Sequence, residues 1–160
     1  MIRSVLFLFL FLIIACGEKE KQIPKEPKPV EKSISQIKAE LEEKGFSTFD
    51  YIDEKTGDTV IMQQYYMVFL KKGPNKSDSK EMADSLQVLH LQHLGRMYEE
   101  GYADISGPMG YDGEIRGITI YNTPTKEIAD SLARLDPLVQ KGMLTIEIHP
   151  WWAGKGFPLR

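Results

Sequence analysis

The chain has 160 residues, with 20 basic against 23 acidic side chains, a formal charge of −3 and one cysteine. That length suits one domain with a modest core. A lone cysteine excludes an internal disulfide framework, and the mildly acidic balance argues against nucleic acid as a partner.

Val5 to Ile14 is an unbroken apolar run behind Arg3 and the amino terminus, the layout of a secretory signal. It is too short for a stable membrane span, which needs about 20 apolar residues. Ile13-Ile14-Ala15-Cys16 resembles the lipobox of bacterial lipoproteins, with small Ala15 before the cleaved bond. Residues 1–15 therefore read as a signal peptide and Cys16 as the lipid attachment point. Loss of the signal removes only Arg3 among the charged side chains. Acyl chains on Cys16 would hold the protein on a membrane, which places it in the bacterial cell envelope, at the outer membrane or cell surface. Residues 16–32 alternate charges with Pro24, Pro27 and Pro29 and bury too little apolar area to offset the entropy of ordering, so they read as a disordered tether.

Order is expected from Ser33, where Ser33 and Gln36 have capping-box spacing and Ile34, Ile37 and Leu41 form one helical stripe ending at Gly45. Phe46 to Ile52, the turn Thr56-Gly57-Asp58 and Thr59 to Lys72 read as a hairpin feeding a long strand. Residues 33–62 thus form an N-terminal extension and 63–152 the main domain. Tyr65 to Leu70 is apolar on both faces, as in a central strand. A helix starts near Asp78 and Glu81 and runs to Gly101, with Met82, Leu86, Leu89, Leu94 and Met97 as its apolar stripe. Ala103 to Met109 and Glu114 to Asn122 are strands joined by the turn at Tyr111-Asp112-Gly113. Thr125 to Leu135 is a second helix with Ile128, Leu132 and Leu135 on its stripe. Asp136-Pro137 opens a helical turn closed by Gly142, Met143 to His149 is the last strand, and 153–160 is a C-terminal tail.

The order β-α-β-β-α-β predicts an α+β, ferredoxin-like fold: a four-stranded antiparallel sheet with both helices on one face. Two helices cover one side only. Tyr65, Met67, Phe69, Ile118 and Ile120 compete for that side with Tyr66, Val68, Leu70, Thr119 and Tyr121, and the losing set must be covered otherwise. A second copy packed sheet to sheet is the simplest cover, and the helix and hairpin at 33–62 folding over in the same chain is the alternative.

His90-Leu91-Gln92-His93-Leu94, Gly101, Ser106-Gly107-Pro108, Gly117, Ala129, Asp136-Pro137 and Gly142, in this order and spacing over residues 65 to 152, resemble the YCII-related family. The resemblance implies a ferredoxin-like fold pairing into a dimeric α/β barrel. It also implies an acid–base pair of His90 and Asp136.

At 100° per residue, His90 and His93 both fall within the apolar arc of their helix and should point inward. His90 as the proton-transferring group with Asp136 orienting its ring makes a sensible dyad, since imidazole titrates near neutrality. A core histidine and an ordinary Asp-Pro helix cap is the plainer reading of the same residues. A metal site from His90 and His93 with Asp136 or His149 has no ligand pattern to accompany it and is not adopted; no cofactor is expected. His93, Tyr66, Tyr111 and Arg116 are pocket candidates. Tyr65, Trp151 and Trp152 are further candidates to line a pocket, but core and interface packing is the favoured reading of the aromatics. The expected activity is a lyase- or isomerase-like proton transfer on a small organic molecule. A lipid-anchored module that binds a small ligand or a partner without chemistry is the alternative.

Overall fold

The computed structural model describes residues 32–159. The signal, Cys16 and nearly all of the tether lie outside them. Among the described residues no helix is long and apolar enough to cross a membrane.

Three helices open on hydroxyl caps. Ser33 and Gln36 close a reciprocal capping box on α1, Ile34–Glu43. Ser79 accepts from the Met82 amide to start α2, Lys80–Glu99, and Thr125 does the same for Ile128 at α3, Lys126–Ala133. Asp136, with Pro137 behind it, starts the short α4, Pro137–Gln140. The strands are β1, Thr48–Ile52; β2, Thr59–Lys72; β3, Ala103–Pro108; β4, Ile115–Tyr121; and β5, Leu144–Gly154.

All pairings are antiparallel. Strand β2 is central, with β5 along one edge; its other edge is shared by β1 near the start and β4 near the end, and β3 lies beyond β4. The expected β-α-β-β-α-β unit is therefore present as β2-α2-β3-β4-α3-β5. The hairpin adds β1 as a fifth strand to the same sheet, so β2 runs across the 62/63 boundary and serves both extension and core.

Residues directly opposite in an antiparallel pair share a face. Tyr66, Val68 and Leu70 stand with Tyr121, Thr119, Ile146 and Ile148 on one face, where Met97 of α2 and Ala129 and Ala133 of α3 close over them. Both long helices cover this face. Tyr65, Met67 and Phe69 stand on the other with Ile120 and Ile118. At the start of β2 that face is approached by α1: Lys38 pairs with Asp50, opposite Ile61, and Glu42 accepts from Thr48, opposite Gln63. The chain after β5 also turns onto it, beside Tyr65 and Ile120. Met67, Phe69 and Ile118 remain half-buried.

Three expectations are corrected. The buried stripe of α2 is Leu86, His90, His93 and Met97, while Met82 and Leu89 are exposed. The four buried residues recur at spacings of 4, 3 and 4, one narrow seam against the sheet, and Leu89 and Met82 fall beside it. Second, α3 ends at Ala133 and buries Ala129 and Ala133, while Ile128 and Leu135 of its expected stripe are exposed. Third, β5 continues past His149 to Gly154, so Trp151 and Trp152 lie within it. Pro150 is tolerated because β5 is an edge strand whose outer side donates to no neighbour. Trp151 then packs against Tyr65 on the open face and Trp152 against Phe49 on the other.

Candidate active site

His90 sits midway along α2, and Asp136 caps α4. Capping explains why the carboxylate is there. One oxygen, Oδ1, accepts from the Leu138 amide at 2.9 Å, as an N-cap does. Its other oxygen accepts from His90 Nδ1 at 2.6 Å, and Asp136 is only 1% exposed. A carboxylate with both oxygens engaged in a buried setting fixes the histidine tautomer: the proton is on Nδ1 and the lone pair on Nε2.

His90 is 8% exposed, and its Nε2 makes no hydrogen bond among the described residues. Among the described residues the one side-chain nitrogen or oxygen that is both sealed and unpartnered is His93 Nε2, so His90 Nε2 is reached by solvent. It opens onto a cleft of about 720 Å³ between α2 and the β3–β4 ladder. Leu91, Leu94 and Tyr98 form the helical wall, Ser106, Gly107 and Pro108 the strand wall, and Gly117 part of the floor. A Cβ at Gly117 would lie 2.7 Å from the Gly107 carbonyl, so close strand packing requires glycine there.

The structure brings together three of the six sequence candidates. His90 and Asp136 form the pair, and Arg116 lines the cleft. The other three lie elsewhere. Tyr66 is buried in the core with its hydroxyl on Gln64, and Tyr111 is 59% exposed in the β3–β4 turn. His93, 4% exposed, points into the core one turn from His90. Arg96 donates to its Nδ1 at 3.3 Å, leaving its proton on the sealed, unpartnered Nε2. Burial holds the His93 imidazolium below its usual titration range; the Asp136 charge opposes this, and Arg96 and His90 reinforce it. Burial likewise pushes the Tyr121 hydroxyl well up, with the Asp136 charge acting in the same direction. His149 stands on the open face of the sheet, opposite Met67, and accepts no part in the His90 cluster.

Residues of the cleft that sequence reasoning did not single out as such are Gln87, Ser106, Asp104 and Leu138. The one legible signal was glycine within a strand, at Gly107 and Gly117, which marks a close backbone approach.

Fold and site define an α+β, ferredoxin-like domain with a solvent-reaching His–Asp pair in an apolar cleft. No family model matches the chain, and no curated protein matches it. Among solved structures it is similar to 5-chloro-2-hydroxyhydroquinone dehydrochlorinase (TftG) from Burkholderia phenoliruptrix AC1100, in complex with 2,5-dihydroxybenzoquinone, at 16% identity and a TM-score of 0.43, covering 54% of this chain and 92% of that one.

Proposed function

We propose that the protein is a lipid-anchored envelope protein of the YCII-related type whose cleft carries out acid–base chemistry on a small organic molecule. One observation carries the chemical part: Asp136 holds His90 by Nδ1 at 2.6 Å while Nε2 is left unbonded at the cleft. In the proposed step a substrate C–H bond breaks, its proton passes to Nε2, and the electron pair stays on the substrate as an enolate. Asp136 keeps the ring oriented and offsets the positive charge it gains. Returning the proton at another carbon completes an isomerisation, and loss of a leaving group from the enolate completes an elimination.

The test is deuterium incorporation from D2O into a panel of small enolisable carbonyl compounds, followed by NMR. Wild-type protein is expected to accelerate exchange for the members that fit, and His90→Gln to abolish it by at least about a hundredfold. Equal rates in His90→Gln, or no exchange by wild type, would leave a binding module without chemistry.

The lipid anchor at Cys16 rests on the sequence pattern and is tested by membrane partitioning of Cys16→Ala, expected to be soluble. A homodimer is supported by the half-buried Met67, Phe69 and Ile118 on the face that the helices leave uncovered. Sedimentation should give a dimer for wild type and a monomer for Phe69→Glu.

A further inference from the structure

We infer that Arg116 is the anion-recognition residue of the cleft, and that the ligand is a small organic acid whose carboxylate sits on the guanidinium while its apolar body lies against Leu91, Leu94 and Pro108. This rests on reading the cleft as the functional site. It goes further by naming what enters.

Backbone geometry aims the side chain. Opposite β2, Gly117 pairs with Leu70 but Ile115 pairs with Lys71, so Arg116 is an extra residue in β4. In a regular strand it would alternate away from Gly117, onto the open face. A bulge lets two successive residues share a side, and bulges serve to re-aim side chains beside active sites. Arg116 accordingly lines the cleft together with Gly117. Its carbonyl is fixed by the Met109 amide at 2.8 Å.

Position along the cleft matters as well. α2 feeds β3 through a tight turn, so Tyr98 lies at the Asp104 end and the His90 level of the helix, about 12 Å back along its axis, lies at the Pro108 end. Arg116 is at that same end, because its carbonyl meets Met109. The cleft's carboxylate, Asp104, is roughly 15 Å away along the ladder. Of the two charged side chains that line the cleft, the cation is at the histidine end and the carboxylate at the other.

Arg116 keeps donors free. The turn residue Asp112 bonds to Nη1 only, and Asp112 is itself 81% exposed and shared with Lys72 at 3.5 Å. A guanidinium has five N–H donors in a planar fork, which suits a second carboxylate. Asp112 already shows one carboxylate on this guanidinium, in an exposed pair that solvent screens.

The probes are benzoate and benzamide, alike in shape and different in charge, titrated into full-length protein in detergent micelles by calorimetry, with the His90 ring followed by NMR. Wild type should bind benzoate about tenfold more tightly than benzamide, since hydrogen bonds to an ionised partner are roughly twice as strong as neutral ones. Arg116→Gln should erase that preference by bringing benzoate binding down to the level of benzamide; Lys72→Gln, outside the cleft, should keep it. A preference retained in Arg116→Gln, or none in wild type while both probes still move the His90 signals, overturns the inference and spares the cleft. Failure of both probes to bind or to move the His90 signals overturns the site reading and this inference with it.

Discussion

The cleft and the sealed core beside it lie along the same seam of α2, one turn apart, and they treat a histidine in opposite ways. At the cleft, His90 has a carboxylate on one nitrogen and solvent on the other. In the core, His93 has an exposed arginine on one nitrogen and nothing on the other. An imidazole becomes a chemical tool when one nitrogen is held and the other is free and reachable. Burial without a partner yields only a cost in stability.

The largest expected effect comes from cutting the partner away from the cleft. Asp136→Ala removes the α4 cap and strips His90 Nδ1 of its acceptor, and should cost about 3 kcal/mol in denaturant unfolding. Asp136→Asn keeps an oxygen for the cap and should cost less. A loss in Asp136→Ala no larger than that of a surface substitution would break the contrast between the two histidines.

Next in size, Gly117→Ala drives a methyl group to within 2.7 Å of the Gly107 carbonyl and should cost about 2 kcal/mol while distorting the cleft floor. Loss of benzamide binding should accompany the loss of stability. Unchanged binding would detach the β3–β4 wall from the cleft.

His93→Leu should do the reverse and stabilise the protein by about 1 kcal/mol, because it removes a sealed donor that has no acceptor. It should also change the pH profile. His93 titrates lower in the folded protein than its ordinary 6.5, so below that pH the unfolded chain takes up a proton that the folded one refuses. The stability tied to His93 is full above pH 6.5 and falls as pH drops from there toward the lowered folded value. Melting temperatures measured down this range should decline less steeply in His93→Leu than in wild type. Parallel declines would show that His93 is not sealed.

The smallest effect is expected at Arg96, whose side chain is exposed. Arg96→Met should change stability by no more than about 0.5 kcal/mol. It should move the acid limb of the pH profile slightly toward lower pH dependence, since one positive neighbour of His93 is gone. A large loss would mean that the Arg96 bond is a main support of the core.

Periodicity and capping made most of the elements legible in the residues themselves. Ser33 with Gln36, Thr125, and Asp136 with Pro137 are local signals whose physics is complete within a few residues, and the helices begin where they stand. The two-sided apolar run of β2 likewise announced a central strand. What failed were quantities that depend on neighbours across space. Leu89 has the same hydrophobicity as Leu86, and only the packing of α2 on the sheet separates the exposed one from the buried one. The last strand was expected to end at His149, yet its edge position lets it run on through Pro150.

The sequence by itself determined the kind of fold, the inward phase of His90 and His93 and the capping role of Asp136, because each follows from contacts only a few residues apart. Only the tertiary structure decided which histidine faces a cleft and which is sealed, and that Arg116 rather than Tyr66 or Tyr111 joins the first. The reason is physical: a one-residue slip in the pairing of β4 with β2 sets the direction of Arg116, and a chain separation of 46 residues is closed between His90 and Asp136. Neither is written in any local pattern.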